Sequence, residues 1–131
     1  MRIVLDTNVV VSGIFWTGIL SKILECWIND RFELLLSDDI FNEYTRTLFQ
    51  ISKGKKDELV GKWLIFFAKN SSFVTIKKRF MLSADPDDDK FIECGFAGKA
   101  KYIVSGDSHL LDLKSLLDIE VVSPARFLER L

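Results

Sequence analysis

The sequence predicts an α/β fold built on a mainly parallel central sheet. Short apolar runs rich in β-branched residues alternate with longer segments of helical period from one end of the chain to the other, and neither repeat nor linker interrupts them. A chain of 131 residues is too short to close two separate cores, so residues 1–131 are expected to form one domain. Sheets of this kind present ligand sites at the carboxyl ends of their strands, and two of the predicted strands end close to an acid, Asp6 and Asp107.

In order, Ile3 to Leu5 reads as a strand buried on both faces, running into Asp6-Thr7-Asn8 and the further apolar residues Val9 to Val11. Ile19, Leu20, Ile23, Leu24, Trp27 and Ile28 have the spacing of an amphipathic helix. Glu33 to Leu36 is a second strand. Ser37 then stands as an N-cap with Asp38 and Asp39 in the first turn, and Ile40, Phe41, Tyr44 and Leu48 carry the helical stripe that includes Glu43. Lys55 to Lys69 repeats the helical period after a basic loop, and Phe73 to Ile76 is predicted as a strand. Asp85-Pro86 breaks the chain before Asp87, Asp88 and Asp89 open a helix reaching about Gly98. Tyr102 to Val104 is a further strand leading to Ser105-Gly106-Asp107, followed by a short helix with Leu110, Leu111 and Leu113. Glu120 to Val122 is the last strand, and Ser123-Pro124 caps and opens a terminal helix.

Composition narrows the function classes. With 48% hydrophobic residues, 28% charged and 2 prolines the chain should fold alone, and a net charge of −1 offers no global basic signal for a nucleic-acid partner. Cys26 and Cys94 lack metal-ligand spacing and are expected as reduced core thiols, which with the absence of a signal-like or membrane-length apolar run predicts a cytoplasmic protein. No Gly-rich phosphate loop is present. Asp85, Asp87 and Asp89 fail as a calcium loop, because Lys90 stands where glycine and Phe96 where a bidentate acid is needed. The single histidine, His109, excludes a Ser-His-Asp arrangement of credible order and reads as a surface or helix-start residue.

What remains is carboxylate chemistry. Asp6, Glu43, the Asp87–Asp89 run and Asp107 come from four separate elements, and a parallel sheet would bring Asp6 and Asp107 together with Asp88 or Asp89 facing the same cleft. Taken singly, most of these acids suit turns or solvated helix starts. Asp6 is the exception, since a charge ending a buried strand needs a partner. Like charges so gathered call for a divalent cation or raised pKa values, and oxygen ligands favour Mg²⁺ or Mn²⁺. Such a centre suits phosphodiester hydrolysis.

Four stretches together resemble the PIN-domain family: Asp6-Thr7-Asn8-Val9, Glu43 on an early helix, Asp85-Pro86-Asp87-Asp88-Asp89-Lys90-Phe91, and Val104-Ser105-Gly106-Asp107 with Leu110 beyond. The likeness covers essentially the whole chain. It is greatest to small single-domain bacterial and archaeal members, the VapC-like toxin components of toxin-antitoxin systems. The resemblance implies a three-layer α/β/α fold and a Mg²⁺- or Mn²⁺-dependent ribonuclease site. It assigns Asp6, Glu43, Asp88 and Asp107 as catalytic and metal-binding acids, with Asn8 and Ser105 as supporting polar residues. Asp88 is preferred over Asp89 because Phe91, Gly95 and Lys99 then fall at the family's apolar, small and loop-start positions, although Lys99 replaces the glycine common there. It further implies an RNA substrate, a cognate antitoxin and a homodimer. A non-catalytic PIN-like module binding RNA or protein is the competing reading.

Charge is also unevenly spread. Residues 46–79 hold nine basic against two acidic residues, whereas the segments on either side are each −4. The basic middle could hold phosphates while the acidic flanks hold metal. Trp63, Phe66 and Phe67 have core or dimer spacing, whereas Phe15 and Trp16 are harder to bury locally and are expected at the cleft or a partner surface.

Overall fold

The computed structural model describes all residues, 1–131. Six strands form one sheet: β1 (Arg2–Leu5), β2 (Glu33–Leu36), β3 (Ser72–Phe73), β4 (Tyr102–Val104), β5 (Ser115–Leu116) and β6 (Ile119–Val122), in the spatial order β3-β2-β1-β4-β6-β5. Every pairing is parallel except that of β5 with β6. The connecting helices are α1 (Thr7–Phe15), α2 (Ile19–Ile28), α3 (Asp38–Ser52), α4 (Asp57–Asn70), α5 (Asp89–Gly98), α6 (Ser108–Leu111) and α7 (Pro124–Glu129).

The order of the strands explains the layering. The chain steps from β1 to β2 to β3 in one direction, then returns across the sheet to β4 and β6. Right-handed crossovers therefore place α1–α4 on one face and α5 on the other. The strands are continuous apolar runs, as layers covered on both sides require: Ile3, Val4, Leu5, Leu34, Leu36, Ile103 and Val104 are all fully buried. Trp27 of α2 stacks on Phe67 of α4 at 4.9 Å between ring centroids, and Tyr44 of α3 meets the same ring at 5.5 Å. Phe67 is thus core, and Trp63 and Phe66 pack against its edge.

Local chemistry sets the helix ends. Ser37 Oγ accepts from Ile40 N–H and Ser123 Oγ from Arg126 N–H, the two N-caps read from sequence. Gly98 lets α5 close on β2, because a Cβ there would lie 2.5 Å from Leu35 Cδ1. The next residue, Lys99, ends α5 at φ +56°, a left-handed position where glycine costs least; this is the place where the family resemblance expects one.

The structure shortens one expected strand and adds two elements to the sequence reading. The expected strand over Phe73 to Ile76 pairs only through Ser72–Phe73, although Val74 N–H still donates to Leu36 O at 2.8 Å. Beyond it the chain leaves the sheet as a strap over α5, because the buried carboxylates of Glu93 and Asp89 take the backbone N–H groups of Phe80, Leu82 and Ser83. Val9 to Val11 lie in α1, and β5 adds a short antiparallel edge. Cys94 is buried and Cys26 half-buried, both as free thiols; burial pushes the Cys94 thiol up to about 12. No single helix is long and apolar enough to cross a membrane.

Candidate active site

The site begins with strand register. β1 and β4 are adjacent and parallel with Leu5 opposite Val104, so the next residues, Asp6 and Ser105, emerge together at the carboxyl edge of the sheet. Ser105 Oγ donates to Asp6 Oδ2 at 2.6 Å and accepts from Asp107 N–H at 2.9 Å, tying two acids from opposite ends of the chain through one buried hydroxyl. Asp107 caps α6 by accepting from His109 N–H at 2.9 Å, which brings His109 Nδ1 within 3.7 Å of the same carboxylate. Asp88 arrives from a single 3-10 turn over Pro86–Asp88, and ligand atoms of Asp88, Asp107 and His109 lie within 4.8 Å of one another.

Burial and mutual repulsion dominate the electrostatics. Desolvation raises the Asp6 pKa; Asp107 and Glu43 add to the rise, and hydrogen bonds from Ser105 and the Thr7 backbone oppose it. Asp88 is pushed up to about 7 by burial first, then by its closeness to Asp107, which favours a proton between them, and by the charges of Asp107, Asp6 and Asp85. Its Oδ2 is buried without a hydrogen-bond partner. An orphaned carboxylate oxygen among like charges is unfavourable unless a proton or a cation meets it. Asp88, Asp107 and His109 are near enough to share one ion, and Asp6, tied through Ser105 to the Asp107 backbone, adds a third carboxylate beside them; so acidic a set suits a divalent cation.

The fourth acid is balanced differently. Glu43 Oε1 lies 2.6 Å from Lys90 Nζ, and the Thr7 hydroxyl donates to Glu43 Oε2. Glu43 and Lys90 side chains are only 18% and 17% exposed, so this is a largely desolvated pair at the rim of the cluster. Lys90 was not among the residues singled out from sequence. Its signal was a cation in the first turn of α5, where the helix dipole disfavours one without an acidic partner. Asp89 faces away, its Oδ1 accepting from Leu82 N–H at 3.1 Å and Ser83 N–H at 2.8 Å. Asn8 is exposed on the first turn of α1. Beneath the site the Tyr44 hydroxyl donates to Leu5 O at 2.5 Å, fixing α3 against the end of β1.

A family model described as PIN domain matches residues 2–109. The chain belongs to the PIN-domain family. That match contains all four acids, from Asp6 to Asp107. Among curated proteins, an uncharacterized protein of Methanocaldococcus jannaschii is 27% identical over 144 aligned positions, covering 98% of this chain and 90% of that protein. Among solved structures, a chain of VapBC2 from Rickettsia felis, crystallised bound to a DNA fragment from their promoter, aligns with a TM-score of 0.62 at 16% identity. The alignment covers 94% of this chain and 98% of that one. The likeness is one of fold, and the mainly parallel sheet between helical layers is the PIN-like α/β/α architecture expected from the sequence. Within this PIN domain the sheet edge and the 3-10 turn bring Asp6, Asp107 and Asp88 together, and α3 places Glu43 near enough for its charge to act on Asp6.

Proposed function

We propose that this PIN domain, a single unit over residues 1–131, is a Mg²⁺- or Mn²⁺-dependent endoribonuclease. The observation that carries the reading is the unpartnered Asp88 Oδ2, buried beside Asp107 and within the repulsive field of Asp6. Asp6, Asp88 and Asp107 would hold the ion, with Ser105 fixing the Asp6 carboxylate and the Asp107 backbone in register. A bound divalent ion supplies Lewis acidity toward phosphoryl oxygens and lowers the pKa of water. Glu43, oriented by Lys90 and Thr7, orients the attacking water or contributes to a second ion position. Hydrolysis by this route leaves a 5′-phosphate and a 3′-hydroxyl.

The VapBC2 fold neighbour and the sequence resemblance support a role as the toxin of a cytoplasmic toxin-antitoxin pair, with a protein antitoxin as partner. Ile28 and Leu59, exposed beside the half-buried Trp63 and Phe66, supply an apolar face for a homodimer.

The test offers RNA, DNA and small phosphoesters side by side to wild type and to Asp6→Asn, with Mg²⁺, Mn²⁺ or EDTA. The expected result is RNA cleavage that requires metal and falls by at least about 100-fold in the variant. Cleavage that persists in EDTA or in Asp6→Asn refutes the mechanism. Tight RNA binding without turnover by wild type points instead to the non-catalytic module.

A further inference from the structure

We propose that the groove between the ends of α1 and α3 is a binding subsite for single-stranded RNA. One unstacked base would lie on Trp16, with adjacent phosphates on Lys55 and Lys56. The inference rests on the endoribonuclease reading and says where its substrate runs.

Trp16 is 58% exposed, a large cost for an indole that packs into no core. It is not a loose side chain, for the Phe15 ring meets it edge-on at 5.9 Å and 74°. Together they form one wall of a concave site of about 210 Å³, completed by Ile51, Ser52, Lys55 and Lys56. Lys56 Nζ sits 6.0 Å from the Phe15 ring centroid. The lysine loop is held by Ser52, whose carbonyl accepts from Lys55 N–H at 2.9 Å and whose hydroxyl accepts from Lys56 N–H at 2.9 Å while donating to Asp57. Lys53, Lys55 and Lys56 are in no ion pair, whereas Arg79, from the same basic segment of the chain, is consumed by Asp39 and Glu93. An aromatic platform beside uncommitted cations is the arrangement that holds a strand by stacking and phosphate contact.

The groove is also tied to the acids by two helices. α1 starts at Thr7 beside Asp6 and ends at Phe15, and α3 carries Glu43 and ends at Ser52. At 1.5 Å per residue both paths measure about 13 Å, roughly four stacked nucleotides and fewer if the strand is extended. Along the way the helices present polar side chains, Asn8 and Ser12 on α1 and Thr47 and Gln50 on α3. An acidic protein segment would satisfy the lysines but would make no use of the exposed indole face.

The experiment uses a fluorescein-labelled eight-nucleotide oligouridylate, with binding followed in EDTA by anisotropy and tryptophan quenching, and turnover followed in Mg²⁺. Trp27 is buried and Trp63 half-buried, so quenching reports chiefly on Trp16. Trp16→Leu should lose the quench and bind about 5- to 150-fold more weakly, the range for one stacked base. Lys55→Gln/Lys56→Gln should reduce the slope of log affinity against log salt by about 1.4. Both variants should raise KM with kcat within about twofold of wild type. Wild-type RNA binding and KM in both variants overturn the subsite while leaving the nuclease reading intact. An altered oligomeric state in scattering, with RNA binding unchanged, also overturns it, in favour of a protein contact. Failure of the unsubstituted protein to bind or cleave any RNA removes the endoribonuclease reading itself, and the subsite with it.

Discussion

Asp88→Asn should stabilise the metal-free protein. In the fold the Asp88 carboxyl is raised from 3.8 to about 7, so the native state binds its proton more tightly than the unfolded chain does. The sign follows from linkage: stability is full below about 3.8 and is lost as pH climbs through about 7. Three pKa units at 1.36 kcal/mol each set a ceiling of about 4 kcal/mol. Asp107 shares the proton and the cleft edge is open to solvent, so about half that, ~2 kcal/mol, is the expected gain on removing the charge at pH 8. With ~2.1 cal/mol/K per residue of unfolding entropy, 131 residues convert this to a Tm increase of about 7 °C. The assay is thermal unfolding by circular dichroism in EDTA at pH 8, 6 and 4, repeated with millimolar Mg²⁺. The variant should melt above wild type at pH 8, the gap should close toward pH 4, and Mg²⁺ should raise the Tm of wild type alone. A variant that melts at or below wild type in EDTA at pH 8, or a gap that does not narrow with acid, refutes the argument from crowded carboxylates.

Lys90→Met removes the cation from a largely desolvated pair and leaves Glu43 with only the Thr7 hydroxyl. The expected loss is about 2–4 kcal/mol at pH 7, read as a Tm lower by about 7–14 °C. Adding Glu43→Gln should restore most of it, and a single variant within 2 °C of wild type would contradict the assigned burial. Phe67→Ala empties the stack between Trp27 and Tyr44 and should cost about 3–5 kcal/mol, measured as a shifted urea midpoint at unchanged slope.

Legibility in the sequence followed the range of the interaction. Strands β1, β2, β4 and β6 and the stripes of α2, α3 and α4 were readable because their signals repeat within a window of a few residues. The N-caps Ser37 and Ser123 were equally local. The strand beyond Phe73 was overextended because Val74 and Ile76 have the right residue type. Past Val74 the chain is held instead by a pair of carboxylates on α5 that bind the backbone of Phe80, Leu82 and Ser83, invisible to any periodicity. The same holds at the site. The meeting of Asp6 with Asp107 follows from a parallel sheet. The separation of Asp88 from Asp89 follows from a 3-10 turn that aims consecutive side chains in different directions, and from sequence it rested on family resemblance alone. The Lys90–Glu43 pair spans 47 residues and could be anticipated only as an unplaced cation at a helix start.

The Ser105 bridge has a temporal consequence. It joins side chains 99 positions apart, and the strands that align it, β1 and β4, are first and fourth along the chain though neighbours in the sheet. Contacts of such separation close late, after the local helices have formed. At about 5–20 residues per second a ribosome needs on the order of 5–20 s to pass from the first acid to the last. Throughout that interval the emerging polypeptide holds Asp6 without its serine or its companion acids. A growing chain therefore carries Asp6 as a lone acid, and the constellation is assembled only after β4 and the turn behind it have been made.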